Sequence, residues 1–246
     1  PDFPMGILTL DEAKSPFRRV LETVAFSKGD LEDLVEAVYR DLQAPDGQVN
    51  PGMKCRALLG RLDGLLPGTA AEVLEQLLER LAQALEAAGE DRPSPEKVIC
   101  AKEVFNEEFS GPLMDCESLQ ARVIHLLRDP RAVVASRNYG AYAHSSGTRY
   151  PLMFILRSWQ RSVHYARLNA GHPRFLMLRY EDLVQRPELT ARNLCGFMGL
   201  PFDAAMLDAG SFTDASGRPW KGNSSFAVSA GGEAGAVDRW QKVLSE

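Results

Sequence analysis

Two stretches of the chain are apolar almost without interruption. They are Val123 to Leu127 and the Phe175-Leu176-Met177-Leu178 core of residues 174–179. Short, β-branched or aromatic runs of this kind predict buried strands. Lys97 to Ala101 predicts a third strand, with Cys100 in the core. Between and before them the spacing changes to that of helices. Leu31, Leu34, Val35, Val38 and Leu42 share one helical face, as do Val73, Leu74, Leu77, Leu78, Leu81 and Leu85. Thr69 and Glu72 have capping-box spacing at the start of the second helix, which is expected to stop near Gly89. Thr9 and Glu12 have the same spacing ahead of an amphipathic stretch to about Ala25. Leu152, Ile155, Leu156, Trp159, Val163 and Ala166 predict a further helix, and residues 187–199 another, with Pro187 near its start. Strands alternating with helices imply βαβ units, hence an α/β fold with a parallel sheet flanked by helices. One domain over residues 1–246 is expected. Within it, residues 1–95 read as helical, residues 96–226 as α/β, and residues 227–246 as a tail. Residues 43–52 and 224–235 read as loops, and no internal repeat is visible.

Chemistry concentrates where the strand at 123–127 ends. Arg128 follows it, Asp129 suits a helix N-cap and Pro130 a first helical position, and the helix then carries Arg131, Ser136 and Arg137. Open α/β sheets bind ligands at the carboxyl ends of their strands, and helix N-termini favour negative charge. An Arg there adds a fork that fits phosphate or sulfate oxygens, and Ser136, two turns along, offers a hydroxyl to the same anion.

The charge balance supports an anionic ligand. The net charge is −5, but residues 118–192 carry 12 basic against 4 acidic side chains, whereas residues 1–117 carry 12 against 23. Without a Lys/Arg run or a reading motif, nucleic acid is not the expected partner. The four cysteines, Cys55, Cys100, Cys116 and Cys195, form no CxxC pair, so no metal site is expected. They suit two disulfides or four thiols alike. No apolar run has the length of a transmembrane helix, and no signal peptide or membrane anchor is visible. The chain starts at Pro1-Asp2 rather than at Met, so missing targeting elements carry no weight.

Residues 126–137, Leu-Leu-Arg-Asp-Pro-Arg-Ala-Val-Val-Ala-Ser-Arg, resemble the 3′-phosphate-binding motif of sulfotransferases that use 3′-phosphoadenosine 5′-phosphosulfate, most closely the carbohydrate, Golgi-type branch. Arg179-Tyr180-Glu181-Asp182-Leu183 is similar to the Tyr-Glu-Asp-Leu segment of the same family, and Arg218 to Phe226 to its Trp-Lys-Gly-Asn-Ser-Ser-Phe loop. The resemblance implies a P-loop NTPase-like sulfotransferase fold and transfer of a sulfuryl group to a hydroxyl, on a carbohydrate in that branch. It implies that Arg128 and Ser136 hold the 3′-phosphate, that Tyr180 packs near the nucleotide, and that Lys221 and Gly222 close over it. Glu181 and Asp182 brace the fold. Lys102 stands where the family often has a lysine near the acceptor or the transferring group; a surface salt bridge is the alternative. The Golgi lumen is the implied setting, with the cytoplasm left open.

One element of the pattern is missing. The 5′-phosphosulfate loop, of Arg-Ser-Gly-Ser/Thr type, should precede the first helices, and Pro1 to Gly6 contains no such loop. The first βα unit is therefore expected to be absent from these residues. The catalytic base is not fixed by the sequence: Lys102 and Glu103, His144 and Glu12 are the candidate catalytic residues, or the base lies elsewhere. His125 and His164 read as structural. Two other classes remain open at this point, a non-catalytic nucleotide- or glycan-binding relic and a nucleotide-kinase-like P-loop protein.

Overall fold

The computed structural model describes residues 24–33, 64–87, 98, 100, 102, 107–140, 147, 149–208 and 235–244. The chain forms two compact units, Pro1–Ala121 and Arg122–Glu246. The boundaries expected near 95 and 226, the capping box at Thr9 and Glu12, and Cys55 lie outside the described residues.

In the first unit, strand β1 (Ala25–Phe26) pairs antiparallel with β2 (Gly68–Thr69). A helical segment, 28–33, follows β1. Ser27 opens it: its N–H and hydroxyl both donate to Asp30 Oδ2, at 2.7 and 2.6 Å. Helix α1 (Ala70–Ala87) follows β2 and starts with the expected capping box. Thr69 N–H donates to Glu72 Oε2 at 2.7 Å, and Glu72 N–H donates to Thr69 Oγ1 at 3.3 Å. Two otherwise unpaired amides are thus satisfied. Thr69→Ala is expected to cost about 1 kcal/mol. Urea unfolding should show that loss, with Thr69→Ser close to the parent; equal midpoints for Ala and Ser would show that the hydroxyl contributes nothing. Val73 joins Leu31 and Leu65 in a small core against Phe26 and Leu77. A one-turn 3-10 segment (Glu107–Phe109) leads into α2 (Ser110–Asp115), and Cys116 packs against Ala71 in a second cluster.

The expected strand at 97–101 does not appear at its described positions. Val98 is 56% exposed, Cys100 is exposed rather than in the core, and neither is in a strand. An apolar run becomes a strand only where a neighbour accepts its backbone hydrogen bonds. No ladder among the described residues reaches positions 98 or 100.

The second unit contains the parallel pair that the pattern implied. Strand β3 (Val123–Leu127) pairs with β4 (Phe175–Arg179), from Val123↔Phe175 to Leu127↔Arg179. Their crossover contains helices α3 (Pro130–Tyr139) and α4 (Leu152–Asn169). After β4 come α5 (Tyr180–Gln185), α6 (Pro187–Met198), a 3-10 turn (Ala204–Leu207) and α7 (Gly235–Val243). Gly199, at φ 74°, ends α6 in the left-handed region, and Leu200 N–H returns to Cys195 O at 2.9 Å.

The two strands are not buried on both faces as their apolar runs suggest. Side chains alternate, so His125 faces α4 and is buried, while Ile124 and Leu126 lie on the opposite face, 38% and 51% exposed. The helix stripe shifts similarly. Ile155 and Ala166 are buried as expected, with Tyr165 and Asn169, but Leu152, the first residue of α4, is 52% exposed.

Candidate anion-binding site

The turn Arg128-Asp129-Pro130 joins β3 to α3 at the carboxyl edge of the parallel pair. Its shape follows from the residues. Asp129 is non-helical, at φ −51° and ψ 126°, and Pro130 stands at the first helical position, where no amide donor is needed. Asp129 Oδ1 accepts Arg131 N–H at 2.8 Å, which caps the helix as expected. Arg131 also forks onto the same carboxylate, Nε to Oδ1 at 3.0 Å and Nη2 to Oδ2 at 2.6 Å. The Arg131 hydrogen bonds hold the Asp129 carboxyl below the usual carboxylate range, against a smaller opposing effect of burial. A depressed carboxylate stabilises the fold above its unfolded value, about 3.9, and that contribution disappears as pH falls through its lower folded value.

Two other elements fix the same turn. Trp159, on α4, donates its indole Nε1–H to Arg128 O at 2.8 Å. Glu181, at the start of α5, accepts Asp129 N–H through Oε1 at 2.8 Å. The Glu181 side chain is only 12% exposed, and its Oε2 lies 3.7 Å from Arg179 Nε. Both backbone groups between Arg128 and Asp129 are therefore bonded to side chains from separate elements. The Arg128 guanidinium carbon lies 4.4 Å from the centroid of the Tyr180 ring, within cation–π range. This contact holds the guanidinium beside the ring at the strand end. Arg128 and Tyr180, expected at one site, are brought together. Glu181 has the bracing role expected of it. Asp182 has one too: Arg186 bonds its carboxylate, and its carbonyl accepts Thr190 Oγ1 at 3.0 Å.

Ser136 is half-buried in α3, two turns beyond the Asp129 cap. At 1.5 Å per residue it stands roughly 10 Å along the axis from that cap. The other arginines of this segment have structural partners. Arg131 serves Asp129, and Arg137 lies over the Tyr150 ring at 5.4 Å. Asn138 secures the start of α4 by bonding Tyr150 twice, Nδ2 to Tyr150 O at 2.9 Å and Oδ1 from Tyr150 N–H at 2.8 Å.

His125 is a satisfied core residue, with Nε2 2.9 Å from Ser162 Oγ. His164 stacks edge-on against Tyr165, with centroids 5.4 Å apart. Lys102 is exposed, outside any helix or strand, and belongs to the first unit. Glu12, Glu103, His144, Lys221 and Gly222 lie outside the described residues. Among the described residues no cluster of His, Cys, Asp or Glu has the makings of a metal site, and no helix is long and apolar enough to cross a membrane. The Trp159 clamp was not anticipated from the sequence. A Trp whose ring is to be buried needs a partner for its N–H, and that requirement was the available signal.

Comparison with known proteins places this geometry in context. The sulfotransferase family model matches residues 25–204. Carbohydrate sulfotransferase 7 of Rattus norvegicus is 30% identical over 212 residues, covering 67% of this chain and 42% of the relative. Carbohydrate sulfotransferase 2 of Mus musculus is 25% identical, covering 89% of this chain and 52% of the relative. The chain thus spans about half the length of these curated relatives, 42–52%. Among solved structures, the sulfotransferase domain from the curacin biosynthetic pathway shares the fold, with a TM-score of 0.51 at 19% identity over 92% of this chain and 77% of that one. The family match takes in β3, the Arg128 turn, α3, β4 and the Tyr180-Glu181-Asp182-Leu183 segment, and by that match the chain belongs to the sulfotransferase family.

Proposed function

We propose that the protein binds 3′-phosphoadenosine 5′-phosphosulfate and takes part in transferring its sulfuryl group to a hydroxyl of a carbohydrate. The observation that carries this reading is the Arg128 turn. It lies at the carboxyl end of a parallel strand, opens a helix, and is clamped by Trp159 and Glu181 with its guanidinium on the Tyr180 ring. Relatives named carbohydrate sulfotransferases support the acceptor class. The Golgi lumen is the setting proposed with it, on the Golgi-type wording of residues 126–137.

Arg128 supplies a permanent charge and a planar fork to the 3′-phosphate, and Ser136 donates its hydroxyl to the same group. Tyr180 orients the fork. Lys221 adds charge and Gly222 allows close backbone approach, as the resemblance implies. In the transfer, the acceptor oxygen attacks sulfur in line and a new O–S bond forms. The bond from sulfur to the 5′-phosphate oxygen breaks, and the bisphosphate leaves with its electron pair. The acceptor proton passes to a base, for which Glu12, Glu103 and His144 are the candidates. Lys102 is the candidate for charge at the transferring group. No step calls for a metal.

The test is calorimetric. The chain should bind adenosine 3′,5′-bisphosphate at least about tenfold more tightly than adenosine 5′-monophosphate, the value of one charge-assisted contact to the extra phosphate. Equal affinities would remove the assignment. Preference for the bisphosphate without sulfate transfer from the labelled donor to any carbohydrate acceptor, by this chain and by a version extended upstream to carry a 5′-phosphosulfate loop, would leave a binding protein instead of a transferase.

A further inference from the structure

We propose that Trp240, on the C-terminal helix, is a positioning residue of the nucleotide site, acting through Arg131 and the Asp129 cap. This inference rests on the nucleotide reading above. It starts from the packing of α7 directly against α3, the helix that the Arg128 turn opens. Val237 is buried, 8% exposed, and Trp240 is half-buried. The Arg131 guanidinium carbon sits 3.7 Å from the centroid of the Trp240 ring, the shortest such approach among the described residues. Arg131 therefore uses both aspects of its plane: its edge forks onto Asp129, and its face lies on the indole. Lys supplies neither a fork nor a flat face.

The arrangement matters because of where the Asp129 charge sits. A carboxylate at the mouth of an anion site opposes the ligand. Here its two oxygens are held by Arg131, at 3.0 and 2.6 Å, and that pair offsets its field. The pair is solvent-accessible, with Arg131 57% exposed, so by itself it is a weak and mobile contact. The indole face restricts Arg131 to the rotamer that reaches Asp129. Without Trp240 the guanidinium gains rotamer freedom, Asp129 faces the ligand with less of its charge offset, and the first turn of α3 is less fixed. Trp159 and Glu181 still hold the Arg128 backbone, so the effect is partial.

The experiment measures calorimetric affinities of the 246-residue chain for adenosine 3′,5′-bisphosphate and adenosine 5′-monophosphate, with thermal unfolding of every variant. Trp240→Ala is expected to weaken the bisphosphate about three- to tenfold while the monophosphate changes by less than about twofold. Trp240→Phe, which keeps a ring, should stay within about twofold of the parent for both. Arg131→Lys keeps the charge but loses fork and face, and should reproduce the selective loss. It also carries the test if Trp240→Ala does not fold. The double variant should be no worse than the weaker single one, because both act through one contact. Equal losses for the two ligands, multiplying losses in the double variant, or a silent Trp240→Ala would overturn the proposal. A parent chain that binds both ligands equally would instead remove the nucleotide reading, and this inference with it.

Discussion

Arg128→Ala should weaken binding of adenosine 3′,5′-bisphosphate by roughly tenfold or more and leave adenosine 5′-monophosphate nearly unaffected. The guanidinium is the charge that the Tyr180 ring holds at the carboxyl end of β3, with its centre 4.4 Å from the ring centroid. Losing a charge-assisted hydrogen bond costs about 1.5–3 kcal/mol, which is a factor of ten or more in affinity. The backbone of the turn does not depend on this side chain. Trp159 bonds the Arg128 carbonyl and Glu181 the Asp129 amide, and both contacts survive truncation. The thermal midpoint should therefore move little, and the ligand-specific loss separates binding from folding. Arg128→Lys should recover only some of the affinity, because it restores charge without the fork. Calorimetry that found the same loss for both nucleotides would place the 3′-phosphate elsewhere.

Glu181→Ala should destabilise the second unit by about 1–3 kcal/mol and weaken bisphosphate binding as well. Its Oε1 is the acceptor for Asp129 N–H, and the side chain is 12% exposed. Removing it leaves a part-buried backbone donor without this partner, which costs more than the net value of the bond itself. The turn that aims Arg128 then loses one of its clamps. Glu181→Gln keeps a carbonyl acceptor of the same length. It should recover most of the stability, short of what the charge-assisted bond and the nearby Arg179 supply. Urea unfolding of Ala, Gln and parent chains gives the comparison. If Gln is as damaging as Ala, the charge of Glu181 matters and its acceptor role does not.

The segment 122–137 was legible because its information is local. A β-branched run, an Asp cap and a Pro at the first helical position each act on neighbours in sequence, and each has the expected geometry. The same holds for the Thr69–Glu72 box at the start of α1. The resemblance puts Arg128 and Tyr180 each near the nucleotide but does not pair them: 52 residues separate Asp129 from its Glu181 partner, and no spacing rule spans that interval. Val98 and Cys100 show the limit on the strand side. Apolar composition implies burial, but both residues are exposed, and no ladder among the described residues reaches them. Ile124 and Leu126 show the same limit on faces: the run is apolar on both sides, yet within it only His125, against α4, is buried. Arg131 and Arg137 stand on the helix that the anion-site turn opens, and the fold assigns them to Asp129, Trp240 and Tyr150.

Residue order alone thus set the chemistry and the local geometry: an arginine at the end of a strand, a capped helix opening beside it, and positive charge concentrated in the surrounding 75 residues, 118–192. These follow from residue types within a few positions of one another, where caps, turns and periodicity operate. Which partners hold that arginine, and which arginines are already committed, was set by the folded chain. The parallel register brings Arg179 beside Leu127, which sets Tyr180 and Glu181 against the turn; α4 supplies Trp159 and α7 supplies Trp240. Contacts of that kind depend on long-range packing, in which each side chain has several partners of suitable chemistry along the chain and the fold brings only one of them within reach.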